Sequence, residues 1–508
     1  MANEVNINLG IDFGTSYTKV CIWSDSDTIL NKPETINLGG EYPNEGMLPD
    51  GVYRYGSDDL VSITKPNDTN LKGSYYRGVK VLLKRKSKEK IDQIEGENIN
   101  QTYNTEFSLE EIENLCAYYL AQVINKSINK AKSQLEEDKV LAELTPKWTA
   151  NIGVPVEYYD SPILAYFHRV LHLALQLEQK NLDEIKKDEI PYSELEEHLR
   201  EIRSVYKDQF EMENHLEELS EYELEKHVSR LIARNDHYNT VLPEIESIVR
   251  PFIYNPKGVT EGMYFFFDIG GGTVDGTACY LRPSGRELVP EFFHSTVKEN
   301  GVDTLRYSRE LVFQSNLIEQ ITQIEHSLAV AGKGDYRINS KGGSKEAIEK
   351  QLKSKQNKED KTILKIMLVK LQLQQQVGEV IMRTKNGYNK PELFPKSKLP
   401  LIILGGGAKS PFYKETLPET YYSFKQYRAD VPEYELGDLD FDSSDLKMKG
   451  VSSEYFDRYL IACGLSYPRV IKSNISRSYY KPKKEDQSKH DGDEWRETPN
   501  IGTGRLSS

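Results

Sequence analysis

The sequence predicts an α/β protein of at least two domains, on three observations. The chain has 508 residues, more than the roughly 250 to 300 at which a single hydrophobic core stops growing. Apolar, strand-like runs enter glycine-rich turns at two places, Gly10-Ile-Asp-Phe-Gly-Thr-Ser-Tyr-Thr-Lys19 and Phe267-Asp-Ile-Gly-Gly-Gly-Thr-Val-Asp275. Other stretches space their apolar residues three and four apart, as amphipathic helices do.

In both turns an aspartate stands at the bend, Asp12 in the first and Asp268 in the second. A bend rich in glycine and hydroxyl residues points backbone N–H groups at an anion, and a nearby aspartate can hold a hydrated magnesium ion against the same phosphates. The two turns therefore read as halves of a clamp for a nucleoside triphosphate. Between them lies the apolar segment Ile152-Gly-Val-Pro-Val156, and after them Leu401-Ile-Ile-Leu-Gly-Gly-Gly-Ala-Lys-Ser-Pro411 runs as a strand into a third glycine turn. Thr362 to Lys385 reads as a helix, with Ile363, Ile366, Leu368, Leu371 and Leu373 giving it a wide apolar face. The last helical candidate, Tyr455 to Ser466, contains Ala462 and Gly464, small residues that permit close helix contact.

Hydrophobic residues make up 38% and charged residues 29%, and no run is long and apolar enough to predict a transmembrane span. The opening Met1-Ala-Asn-Glu-Val-Asn lacks a basic, then apolar, secretory pattern, so a cytoplasmic protein is expected. Cys21, Cys116, Cys279 and Cys463 are too scattered for a metal-ligand spacing and read as buried thiols. The net charge of -13 disfavours nucleic acid as a general partner. That charge is concentrated: residues 176 to 227 hold 17 acidic and 7 basic residues. There Leu195, Leu199, Ile202 and Tyr206, then Leu216, Leu219 and Tyr222, mark a narrow helical stripe, with Pro191 separating two helices. This acidic helical insertion, 176 to 236, reads either as a solvated hairpin packed on the body or as a docking arm for a partner protein. Gly332 to Lys361 carries 9 basic and 5 acidic residues and reads as a mobile basic loop. The polar tail from 469 to 508 is expected to be disordered.

These motifs, in this order, resemble the actin-like ATPase superfamily, whose fold carries phosphate-1, connect-1, phosphate-2, adenosine and connect-2 segments. Asp12 to Tyr17 fits the pattern Asp-x-Gly-Thr-Thr/Ser-Tyr, and Phe267 to Asp275 fits Phe-Asp-x-Gly-Gly-Gly-Thr-x-Asp, both of the nucleotide-binding domain of the seventy-kilodalton heat-shock (DnaK-type) chaperones. Gly405-Gly-Gly-Ala-Lys-Ser-Pro411 approaches a third chaperone pattern, with Lys409 where that family has arginine. The resemblance covers about residues 5 to 170 and 240 to 468. It implies a two-lobed fold of duplicated ribonuclease-H-like domains, a first lobe from 1 to 254 and a second from 255 to 468, with ATP or ADP and magnesium as cofactors.

The resemblance also implies roles for single residues. Asp12 and Asp268 would hold magnesium through its waters. Gly14, Thr15, Ser16 and Tyr17, then Gly270, Gly271, Gly272 and Thr273, would cradle phosphates. Tyr76 to Arg85 resembles the segment that supplies the chaperones' catalytic lysine, which makes Lys80 the candidate. Thr273, Asp275 and Glu244 would arrange the attacking water. Glu379 and Arg383 resemble the chaperone residues that hold ribose and stack on adenine, although Met382 replaces a lysine expected there; by spacing alone they are an i,i+4 ion pair. Gly405, Gly406, Gly407 and Lys409 would border the adenosine. Lys19 sits where actin keeps a phosphate-contacting lysine and the chaperones generally do not, so the chain mixes two signatures. Only about 40 residues follow Pro468, so a chaperone's peptide-binding domain is not expected. The implied function is a DnaK-like ATPase switch acting on a separate partner. A filament-forming, actin-like ATPase and a small-molecule kinase of the same fold stay open beside it.

Overall fold

The computed structural model describes residues 3–26, 29–39, 46–65, 73–77, 79–94, 107–137, 144–159, 161–180, 188–205, 216, 219–233, 239–254, 261–284, 287–304, 358–387, 391–426, 430–437 and 446–467. The tail from 469, most of the basic segment 332–361 and parts of the acidic insertion lie outside them. The chain divides into two compact units, one of Met1–Asn255 with Phe441–Ile471, the other within Pro256–Asp440. Strands and helices are present in both, an α/β architecture.

Among the described residues the first unit has ten strands: β1 (Asn3–Phe13), β2 (Tyr17–Ser24), β3 (Glu34–Ile36), β4 (Leu48–Pro49), β5 (Gly51–Tyr55), β6 (Leu60–Ser62), β7 (Gly73–Arg77), β8 (Leu144–Val154), β9 (Glu189–Pro191) and β10 (Val241–Pro243). Its main sheet runs β10-β8-β1-β2-β3, with β4 on β2. The neighbours β1, β2 and β3 are antiparallel, while β1, β8 and β10 are parallel. The central strand is buried on both faces, as a strand with parallel neighbours under helices should be. Ile7, Leu9, Ile11 and Phe13 are fully buried on one face, and Asn8 is buried on the other.

Asn8 is there for a reason. The helix Leu460–Ser466 packs on β1, and its last carbonyls need partners. Asn8 Nδ2 donates to the Leu465 and Ser466 carbonyls at 3.0 and 3.1 Å, and Asn151 Nδ2 donates to Leu465 at 3.1 Å. A Cβ at Gly10 would overlap the Ala462 carbonyl, and one at Gly464 would overlap the Ser247 carbonyl. Expected to lie with the second domain, residues 446–467 instead return to the first unit, where glycine permits close backbone approach on two sides of this helix.

A smaller sheet, β7-β5-β6-β9, completes the unit. Pro191 stands between two helices, Ile163–Gln179 and Tyr192–Val205, and does so as the end of β9, whose Ile190 pairs with Val61 of β6. The helix Tyr192–Val205 then buries Leu195, Leu199 and Ile202 as the spacing predicts. The helix Glu221–Ala233 buries Leu224, Val228 and Leu231, whereas Tyr222 faces solvent and falls off the expected stripe. The insertion is tied down by charge as well as by apolar contact. Arg203 of the helix Tyr192–Val205 has its Nη1 3.4 Å from Glu110 and donates from Nη2 to Asn114 at 2.8 Å, beside Glu113, which Arg169 of the body holds at 3.0 Å.

Five strands form the sheet of the second unit: β11 (Gly262–Ile269), β12 (Val274–Ser284), β13 (Glu287–Lys298), β14 (Lys398–Leu404) and β15 (Glu433–Gly437), in the order β13-β12-β11-β14-β15. Here β11, β12 and β13 are antiparallel, and β11, β14 and β15 are parallel. Strand order and polarity thus repeat those of the first unit's main sheet. The helix Lys358–Gly387 starts four residues before Thr362, taking in the end of the expected basic loop. Its Leu364, Ile366, Leu373, Val377, Val380 and Ile381 join Phe265, Phe267 and Ile269 in one buried cluster. Each such side chain contributes roughly 1.5 to 3 kcal/mol on burial.

Candidate functional site

The two glycine-turn motifs form hairpins with one register. In the first, Phe13 pairs with Thr18 and Asp12 with Lys19; in the second, Ile269 pairs with Val274 and Asp268 with Asp275. Four residues bridge each hairpin, 14–17 and 270–273. Facing positions across antiparallel strands bring side chains within reach. In the first hairpin they carry opposite charges, and Lys19 Nζ is bonded to Asp12 Oδ2. In the second they are two carboxylates, both buried.

Each turn is braced by its own unit. Gly14 N–H donates to the Asp12 carbonyl at 2.9 Å, and Asp50 N–H donates to Ser16 at 2.9 Å. In the second turn Gly270 N–H donates to Thr273 at 2.9 Å. The carbonyls of Gly270, Gly271 and Gly272 accept from the amides of Val302, Asp303 and Gly301. Carbonyl oxygens that would repel an anion are thereby engaged by the protein, which leaves N–H as the group type the turn can present to one.

Lys80, on the first turn of the helix Val79–Ile94, is buried, with its Nζ 2.6 Å from Glu244 Oε1. Glu244 opens the helix Glu244–Tyr254, directly after β10. Lys80 Nζ also reaches the Gly153 carbonyl at 3.4 Å and lies 5.9 Å from the centre of the Phe13 ring. The end of β8 is the reason for this meeting: it carries Gly153, where any Cβ would crowd the Glu244 side chain at 2.9 Å. Lys80 and Glu244, picked out separately from sequence, are thus one ion pair.

In the second unit the third glycine turn packs against the end of β11. Gly405 has a φ of +79°, and a Cβ there would overlap Asp268 Oδ1. Gly407 N–H donates to the Ile269 carbonyl at 2.9 Å. Gly405, Gly406 and Gly407 therefore join the Asp268 hairpin, while Lys409 is exposed at the far end of the turn. The helix Lys358–Gly387 is keyed to the same hairpin by Gln376, whose Nε2 donates to the Val274 carbonyl at 2.7 Å and to Thr296 Oγ1 at 3.1 Å. One turn later, Glu379 Oε1 lies 3.6 Å from Arg383 Nε. Met382 packs against the apolar core, so its position does not extend the charged face.

Sequence reasoning missed two residues beside Glu379. His294 Nε2 stands 3.6 Å from Oε1, and Lys298 Nζ 3.7 Å from Oε2. Both come from β13 and reach the same carboxylate. Burial pushes the Glu379 carboxyl up, but His294, Lys298 and Arg383 more than offset it and hold the group below the ordinary glutamate value. Polar residues run unbroken from His294 to Thr296 before Val297 and Lys298, a pattern with no period that identifies a partner helix.

Among the described residues no helix is long and apolar enough to cross a membrane. No protein-family model and no curated protein matches the sequence.

Proposed function

We propose that this chain is a magnesium-dependent ATPase of the actin-like fold, closest in its motifs to the DnaK-type chaperones, that works as a nucleotide-dependent switch on a partner protein. The observation that carries the reading is the repetition of one hairpin in two sheets of equal strand order, each with an aspartate at the same register position. Chance placement of two glycine motifs would not require that match.

The reading gives each unit its own part. Backbone amides of Gly14 to Ser16 and of Gly270 to Thr273 bind phosphate oxygens. Asp268 and Asp275, buried carboxylates at facing positions, suit a hard divalent cation that keeps several of its waters. Asp12 suits it less, since Lys19 already neutralises it. When bound, magnesium supplies charge neutralisation at the phosphates. Lys80 donates hydrogen bonds to developing charge on the phosphoryl oxygens, and Glu244 sets the position of its ammonium. Asp275 and Thr273 orient the attacking water. Glu379 and Arg383 hold the nucleoside.

The acidic insertion is the proposed partner contact. Its helix Tyr192–Val205 is fixed to the body through Arg203, which reaches Glu110 and Asn114, so a partner bound there would be coupled to the first unit. Removing residues 192–233 and finding partner capture intact would defeat that assignment. For the ATPase itself, Asp268→Asn should slow hydrolysis at least a hundredfold, on the order expected for a lost electrostatic group, while the fold survives. An unchanged rate would remove Asp268 from the mechanism.

A further inference from the structure

The glycine turn 270–273 of the second unit does not hold its shape alone. The amides of Gly301, Val302 and Asp303 donate to the carbonyls of Gly272, Gly270 and Gly271, so one short segment occupies three successive carbonyls of the turn. The fit is tight. A Cβ at Gly301 would stand 2.5 Å from the Gly271 carbonyl oxygen and 2.6 Å from Thr273 N, so the turn can shift only if residues 300–303 shift with it.

The anchor of that segment follows the third glycine turn. Residues 405–410 close on themselves, Ala408 N–H donating to Gly405 and Ser410 N–H to Gly407, and run into the helix Pro411–Gln426. In the first turn of that helix Tyr413 is fully buried, and its Oη donates to the Asn300 carbonyl at 3.0 Å. Tyr413 shares one buried cluster with Ile269 and Val302, and a Cβ at Gly407 would press on both of those side chains. Phenylalanine would fill the same space; the hydroxyl adds the bond to Asn300. Burial, with the Asp303 carboxylate nearby, pushes the Tyr413 phenol up, so it stays protonated and donates.

We propose that Tyr413 is a positioning residue for the phosphate-binding turn. Through Asn300 it keeps residues 301–303 where they engage the turn's carbonyls, which leaves the turn's amides for the phosphates of a nucleotide. The proposal rests on the nucleotide reading above and adds to it a link between the turn that borders the adenosine and the turn that binds phosphate.

The test measures binding of ATP and ADP, with magnesium, and of adenosine to the full chain, to Tyr413→Phe and to Gly301→Ala. Y413F keeps the packing and strands a buried carbonyl, so affinity for ATP and ADP should fall about tenfold while affinity for adenosine is unchanged. G301A disturbs the same segment directly and should show the same selective loss; if it does not fold, Y413F decides. A tyrosine with a structural role alone would lower the unfolding temperature and leave the ratio of ATP to adenosine affinity as it is in the full chain. That ratio unchanged in Y413F would overturn the proposal and leave the nucleotide reading standing. Failure of the unaltered chain to bind ATP would overturn both.

Discussion

Lys80 and Glu244 form an ion pair at 2.6 Å whose side chains are 4% and 6% exposed. Burying two charges costs more than their attraction usually returns, so such a pair is poorly explained by stability alone. Its members stand 164 residues apart in the chain and meet beside the Gly153 carbonyl, at the end of the parallel strand β8.

Removing one member should therefore cost stability, and removing both should not. Glu244→Leu is expected to destabilise the protein by about 3 to 5 kcal/mol, because it strands a buried ammonium. Lys80→Met combined with Glu244→Leu should recover most of that in chemical denaturation. Hydrolysis should remain lost in the double variant. Recovery of hydrolysis together with stability would assign the pair a purely structural role.

The Gly464 contact makes a prediction about the fold. Gly464→Ala places a methyl against the Ser247 carbonyl, a backbone atom that cannot swing aside. Overpacking of this kind costs roughly 3 kcal/mol, and denaturation should report it as loss of the first unit. Wild-type stability in this variant would contradict the packing of the terminal helix.

Gly405→Ala tests the second hairpin. At a φ of +79° an alanine costs roughly 1 to 2 kcal/mol, and its methyl also displaces Asp268. Magnesium-dependent nucleotide affinity should fall by more than tenfold, beyond what so small a stability loss explains. Retained affinity would separate the third glycine turn from the site.

Glu379 predicts an acid limb. Its folded value lies below the ordinary 4.5, so the unfolded chain binds its proton first as pH falls. The stabilisation is complete above pH 4.5 and is lost as pH drops further, through the folded value. Stability measured across this range should fall more steeply for the native protein than for Glu379→Gln. Parallel profiles would show that the three cations do not act on this carboxylate.

Much of the local fold is legible in the sequence. Apolar runs into glycine turns mark strand ends because few other residues tolerate such bends, and that placed Asp12, Asp268 and the turn at Gly405 correctly on hairpins and strand termini. The helix stripe through Leu195, Leu199 and Ile202 was legible because burial imposes a 3.6-residue period. What escaped was set by contacts distant in sequence. Nothing local in Leu460–Ser466 says that it packs on β1; Asn8 and Asn151 decide that from more than 300 residues away. Nothing in β9 announces its pairing with β6, since three residues carry no period. His294 and Lys298 gained significance only once β13 lay beside the helix that bears Glu379.

The most direct test of the central claim is magnesium-dependent phosphate release from ATP, measured at several concentrations of the intact protein. A turnover per molecule that requires magnesium and does not vary with protein concentration is the predicted result for a self-contained switch. No release above background at any concentration would contradict the ATPase assignment, and a lag with steep concentration dependence would replace the switch with an assembling, filament-forming protein.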